Sequence, residues 1–163
     1  MKTSHFLAVA IALFSFFQAG AQLKGFSIGP YVEMAWPTGD MRLANSSGWG
    51  AGFGADIRLG KLGITGSAGY MHFNEKKLVT ETPEDFSVNA IPIRAGFKYR
   101  FIPLIYAKLE GGVAKFTNGD RSALIFSPAI GLRILGFDIQ AKYEVWANEG
   151  TMAFFGVKAG YNF

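Results

Sequence analysis

Charged residues at two-residue spacing are the first sign of chemistry in this chain. Arg94, Lys98 and Arg100 share one parity, as do Lys108 and Glu110, and Asp138, Lys142 and Glu144. Glu33, Asp56, Arg58, Arg133 and Lys158 stand among small or polar residues on one parity of their own segments. Successive side chains of a strand point to opposite faces, so each set shares a face. Five acids (Glu33, Asp56, Glu110, Asp138, Glu144) thus meet eight bases (Arg58, Arg94, Lys98, Arg100, Lys108, Arg133, Lys142, Lys158). In a narrow interior these charges must pair, because an isolated buried charge costs several kcal/mol. The alternative use of the basic surplus is to line a narrow path for small anions.

Nucleophilic catalysis has one candidate base. The chain holds two histidines, His5 and His72. A serine hydrolase needs its His within hydrogen-bond reach of the nucleophile and an orienting acid. Ser46, Ser47, Ser87 and Ser122 are expected near one rim, but His72 is followed by Phe73-Asn74, so there is no His-x-Ser pairing. The plainer reading places His72 in an interfacial girdle beside Tyr70. Cysteine is absent, which removes disulfides, Cys-based metal sites and thiol nucleophiles. With one histidine beyond the leader, neither a structural metal nor a cofactor is expected.

Eight alternating segments position these residues. The first runs from about Lys24 to Trp36 and sets Phe26, Ile28, Pro30, Val32, Met34 and Trp36 against Ser27, Gly29, Tyr31, Glu33 and Ala35. A polar loop, Pro37 to Ser47, follows. The second sets Trp49, Ala51, Phe53, Ala55, Ile57 and Leu59 against glycines, Asp56 and Arg58. Gly60-Lys61 reads as a two-residue hairpin turn in which Gly supplies a positive φ. The third carries Leu62, Ile64 and Tyr70 outside, and a charged loop from Glu75 to Asp85 comes next. The fourth carries Ile91, Ile93, Phe97 and Tyr99, and turns at Ile102-Pro103. The fifth carries Ile105, Leu109 and Val113, and ends on the turn signal Thr117 to Arg121. The sixth carries Leu124, Phe126, Ile130 and Ile134, and turns at Leu135-Gly136. The seventh carries Phe137, Ile139, Tyr143 and Val145. After a loop from Ala147 to Thr151, the last runs from Met152 to Phe163 and sets Ala153, Phe155, Val157, Ala159, Tyr161 and Phe163 against Met152, Phe154, Gly156, Lys158, Gly160 and Asn162. Pro30, Pro92 and Pro128 fall inside segments, and a bulge or register defect is expected at each, since proline removes a ladder hydrogen bond.

Residues 1–21 stand apart. Lys2, the apolar run Phe6 to Phe17 and Ala19-Gly20-Ala21 read as a secretory signal peptide cleaved before Gln22. As a membrane anchor, a run of roughly 12 apolar residues is too short for most bilayers. Residues 22–163 form one domain. With Lys2 gone, 15 basic and 12 acidic residues remain. They are scattered singly among apolar residues, whereas a nucleic-acid binder clusters its basic residues.

Alternation suits either a soluble lipocalin-like barrel or a membrane barrel, and three features favour the second. Many of the glycines lie on the polar parity, and an eight-stranded barrel has an interior just wide enough for side chains. The apolar parity is nearly free of charge, with Lys115 the clear exception. Tight connections at Gly60, Ile102 and Leu135 alternate with longer ones, as in outer-membrane barrels. The final strand, with Phe163 at the terminus and Tyr161 two residues before it, resembles the closing strand of bacterial outer-membrane β-barrels. Where that assembly signal carries Gly five residues from the end, this chain has Lys158. The whole of residues 24–163 resembles the small eight-stranded family that includes the OmpA transmembrane domain and OmpX-type barrels.

The resemblance implies an all-β, antiparallel, up-and-down transmembrane barrel, integral to the outer membrane. Its implied partners are outer-membrane lipid, the barrel-assembly machinery during biogenesis and an envelope protein of unspecified identity. A structural or interaction role with a plugged, salt-bridged lumen comes first. A narrow pore for small solutes comes second, and an envelope-lipid-modifying enzyme third. Turn geometry adds two expectations. A two-residue loop at Leu135-Gly136 sets Arg133 opposite Asp138. A turn at Ile102-Pro103, with Tyr99 opposite Ile105, sets Arg94 opposite Glu110.

Overall fold

The structure is a computed structural model describing residues 25–76, 88–119, 121–148 and 150–163. The expected signal peptide, Ser87 and most of the loop 75–85 lie outside the described residues. Eight strands follow one another: β1 (Phe26–Thr38), β2 (Asn45–Leu59), β3 (Leu62–Glu75), β4 (Val88–Arg100), β5 (Ile105–Phe116), β6 (Ser122–Ile134), β7 (Phe137–Ala147) and β8 (Thr151–Tyr161). Each pairs antiparallel with the next, and β1 closes on β8 to complete a barrel. One helical turn, α1 (Met41–Ala44), sits in the β1–β2 connection.

The two-residue alternation of the sequence becomes an outside and an inside. Val32, Phe53, Ile93, Phe97, Phe126, Ile130 and Ile139 point outward and are each more than half exposed. Their inward neighbours are buried or half-buried. Outward aromatics gather at the two ends of the strands. Trp36 packs on Phe155 and Trp49 on Tyr70 at the loop end. Tyr99 packs on Phe101 and Tyr161 on both Phe137 and Phe163 at the turn end. The strands span 11 to 15 residues, at or beyond the roughly 9–11 that cross a bilayer.

Inward glycines make room for inward tyrosines. Gly52 and Gly69 face each other across β2 and β3. A Cβ on Gly52 would stand 2.7 Å from the Tyr31 hydroxyl, and one on Gly69 would stand 2.5 Å from it. A Cβ on Gly131 would collide with the Tyr106 ring. The lumen accommodates these rings only where its wall has no side chain.

The tight turns set the register. Leu59 pairs with Leu62 across Gly60-Lys61, with Gly60 at φ +72°. Ile134 pairs with Phe137 across Leu135-Gly136, and both turn residues have positive φ, 50° and 89°. Arg133 therefore lies opposite Asp138. The β4–β5 turn differs from expectation. It comprises Phe101 to Leu104, with Arg100 paired to Tyr106 and the Phe101 N–H donating to the Ile105 carbonyl at 3.1 Å. The ladder is thereby displaced by two residues, so Arg94 pairs with Gly112 and Glu110 with Gly96.

The prolines also differ from expectation, since none shifts a register. Pairing lapses locally beside Pro92 in the β3–β4 ladder and beside Pro128 in the β6–β7 ladder, then resumes in step. The β1–β8 ladder begins at Tyr31, one residue past Pro30. Each proline turns its missing donor toward a gap, which leaves the opposite ladder intact. The one register shift lies between Asn45 and Gly48, near the β2 start.

Candidate functional site: a layered, charged lumen

From the loop end to the turn end the lumen is stacked in layers. The first is apolar. Phe73, Trp146 and Phe154 point inward from β3, β7 and β8 and are fully buried. Their ring centroids are 5.1 to 5.9 Å apart at steep angles, a favourable edge-to-face arrangement. Ile125, Met71 and Met41 of α1 complete this apolar layer. The indole N–H of Trp146 donates to Glu144 Oε1 at 2.6 Å and so ties it to the layer beneath.

That layer is a closed ring of four charges from β1, β4 and β7. Arg94 Nη2 reaches Glu144 Oε1 at 2.7 Å and Glu33 Oε1 at 3.3 Å. Lys142 Nζ reaches Glu33 Oε2 at 3.0 Å and Glu144 Oε2 at 2.7 Å. Each acid touches both bases, and the four side chains are almost wholly buried. Charge is balanced, which is the condition under which buried ions are tolerated. Because β4 stands across the barrel from β8 in the strand order, Arg94 braces the lumen across its width.

A second ring of four lies toward the turns. Lys98 Nζ contacts Asp56 Oδ2 at 2.8 Å and Asp138 Oδ2 at 3.5 Å. Arg133 contacts Asp138 Oδ2 at 2.6 Å and also Asp56. Again each base touches both acids. The Tyr106 hydroxyl donates to Asp138, and Arg133 Nη1 donates to Ser27 Oγ at 3.2 Å.

Between the rings lies a polar cavity of about 30 Å3. Lys108 and Lys158 line it. Lys108 Nζ stands 3.0 Å from Glu110 Oε2, its neighbour along β5. Lys158 Nζ lies over the Tyr31 ring, 3.5 Å from the centroid. Arg58 and Arg100 occupy the turn-side mouth with Lys61 and Arg133.

The expectation that every lumen base is paired thus holds for five of the eight: Arg94, Lys98, Lys108, Arg133 and Lys142. Among the described residues, Arg58, Arg100 and Lys158 have no carboxylate within 4 Å. The first two reach solvent at the mouth, Arg58 being exposed and Arg100 half-buried. Lys158 is buried. Arg94 and Glu110, expected as partners, bond to different residues. Phe73, Trp146 and Phe154 stand on the inward parity of their strands, and three bulky aromatics at one end of that parity are the sequence signal of the apolar layer.

His72 lies in the loop-end girdle. Its Nδ1 is 2.6 Å from Asn89 Oδ1, which also accepts from the Tyr70 hydroxyl at 2.7 Å, and its ring stands 6.1 Å from Trp49. At the chain terminus the Phe163 N–H donates to the Ile28 carbonyl at 2.9 Å, so the β8–β1 seam continues past the end of β8.

No protein-family profile matches the sequence, and no curated protein does. The fold is similar to that of several solved structures. Ail of Yersinia pestis, in a phospholipid nanodisc, aligns over 85% of this chain and 99% of its own, at 15% identity and a TM-score of 0.62. Neisserial surface protein A aligns over 85% and 96%, at 14% identity and 0.52. The N-terminal β-barrel of Pseudomonas aeruginosa OprF aligns over 84% and 97%, at 14% identity and 0.53. The chain therefore has the fold of the small eight-stranded outer-membrane β-barrels.

Proposed function

We propose that the chain is an integral outer-membrane protein of the OmpA/OmpX type, non-enzymatic, with a structural or interaction role and a closed lumen. The observation that carries this is the inversion of its surfaces. The outer wall is apolar around the barrel, while the charges are inside and largely cross-linked. Water-soluble monomers rarely expose apolar patches beyond a few hundred Å2, and lipid is the solvent that suits such a wall. Two charge rings and an aromatic plug in series leave no continuous aqueous path, which favours the closed lumen over the pore. His72 is engaged with an amide in the girdle rather than with a nucleophile and an acid. Residues 1–21 direct export and are removed before Gln22, and the assembly machinery engages β8 through Tyr161 and Phe163.

The interaction role belongs to the loop end. There a cup of about 360 Å3, floored by Met41, Val88, Phe116 and Met152, opens outward above the plug. The protein should fractionate with outer membranes, migrate faster on gels before heating than after, and give no single-channel conductance in planar bilayers. Recovery as a soluble periplasmic monomer would overturn the membrane reading, and steady conductance would overturn the closed lumen.

A further inference from the structure

The charge balance inside the barrel does not close. The loop-side ring carries two acids and two bases. The turn-side ring carries two and two. Glu110 offsets Lys108. Lys158 is left over, 8% exposed, with no carboxylate within 4 Å among the described residues. Its ladder partner Glu33 is committed to Lys142 and Arg94. It lies over the face of Tyr31 and feels Glu110 and Glu33 only at longer range, and a ring quadrupole offsets only part of a buried cation's lost hydration.

The cavity that Lys158 lines collects other groups in need of a partner. The Ser67 hydroxyl and the Gln140 side-chain NH2 also belong to its wall, are buried, and make no hydrogen bond to another described group. Asp56 and Asp138 border the cavity too, but their oxygens are held by Lys98, Arg133 and Tyr106. Lysine, hydroxyl and amide N–H all donate. A set of donors around a surplus positive charge is complementary to an anion. At about 30 Å3 the cavity exceeds the roughly 10–15 Å3 needed by one water, which leaves room for a small ion.

We propose that this cavity is a binding site for one monoatomic inorganic anion, a halide such as chloride, held by Lys158 with Ser67 and Gln140. The ion enters from the turn end, through transient opening of the Lys98–Asp56 and Arg133–Asp138 pairs of the turn-side ring. Arg58, Arg100 and Arg133 form a cationic mouth there, and Arg133 lines both mouth and cavity. Such a mouth concentrates anions locally. Beyond Lys158 the loop-side ring and the aromatic plug block passage, so the site is a blind one. The bound ion completes the lumen's charge balance and stabilises the closed barrel.

Urea unfolding of the purified protein in bilayers tests this, at constant ionic strength with chloride exchanged for gluconate. The folded-to-unfolded ratio should rise about tenfold for each tenfold rise in chloride above its dissociation constant. Lys158→Met should abolish that dependence, while Ser67→Ala and Gln140→Leu should fold and bind chloride more weakly. Bromide-soaked crystals should show an anomalous peak beside Lys158 Nζ. An unfolding midpoint equal in chloride and gluconate overturns the proposal. So does an unchanged chloride dependence in Lys158→Met or, if that variant does not fold, in both Ser67→Ala and Gln140→Leu. The inference rests on the closed lumen, and the two fail differently. Measurable conductance removes the closure, whereas a halide-independent midpoint without conductance removes the ion alone.

Discussion

Each of the four charges in the loop-side ring answers for two others. Removing Glu144 leaves Arg94 and Lys142 sharing Glu33 alone and strips the Trp146 indole of its acceptor. Glu144→Ala should therefore cost about 3–5 kcal/mol. Glu144→Ala combined with Lys142→Met removes a matched pair and leaves Arg94 bonded to Glu33, so the double variant should be more stable than the single. Urea midpoints of the two variants in bilayers decide it; strictly additive losses would mean that water screens the ring. A second residue-scale expectation concerns Leu135, which is 90% exposed at φ 50°. Left-handed backbone costs an L-residue roughly 1–2 kcal/mol, and asparagine tolerates it better. Leu135→Asn should raise the unfolding free energy by about 1 kcal/mol; a lower midpoint would show that the leucine side chain is anchored in lipid. Of these contacts, only Arg133–Asp138 was legible from the residues, because a two-residue hairpin fixes its own register. Arg94's partners were not. Pairing counts along neighbouring strands, while Glu33 and Glu144 reach Arg94 across the lumen, a distance set by barrel closure.

At the scale of elements, the β8 end acts as a seam. Tyr161 stacks edge-on with Phe137 and with Phe163, at 5.0 and 4.9 Å, and the Phe163 amide bonds to β1. Deleting Phe163 removes that bond and one ring of the turn-end girdle. Phe163→Ala keeps the bond and loses only the ring. Both should lower the heat-modifiable, membrane-inserted fraction several-fold, the deletion more severely, with immunoblots of outer membranes as the measure. Equal insertion of wild type and both variants would make the terminal aromatic incidental. Strand existence and facing were readable throughout, since a one-residue slip would have turned every apolar side chain inward. The β4–β5 register was not. The sequence around Ile102-Pro103 does not fix the loop length, and the Phe101–Ile105 hydrogen bond selects a connection two residues longer than Tyr99 opposite Ile105 requires. The prolines depart from expectation for a related reason. A closed barrel has no edge, but a strand can lose one rung on one side while the other ladder holds the register.

For the whole molecule, the closed lumen proposed above gives each layer a separable role. On the proposed reading, the aromatic layer would seal by dewetting and packing, and the two rings beneath it by cross-linking opposite walls. Phe73→Ala together with Phe154→Ala removes two of the three large rings of the plug. Burial loss for Phe→Ala typically runs about 3–5 kcal/mol in a protein core, so this variant should be markedly less stable. It should nonetheless remain non-conducting, because neither Arg94–Glu144 nor Arg133–Asp138 depends on a phenylalanine contact. Adding Arg94→Ala severs the brace across the barrel and leaves Lys142 to hold both Glu33 and Glu144. Single-channel openings should appear only when Asp138→Ala is added to this triple variant and loosens the turn-side ring as well. Their selectivity should favour anions, since the remaining lumen bases outnumber the acids and three arginines line the mouth. Conductance already present in the phenylalanine double variant would show that the plug alone is the seal and that the charge rings below it are hydrated.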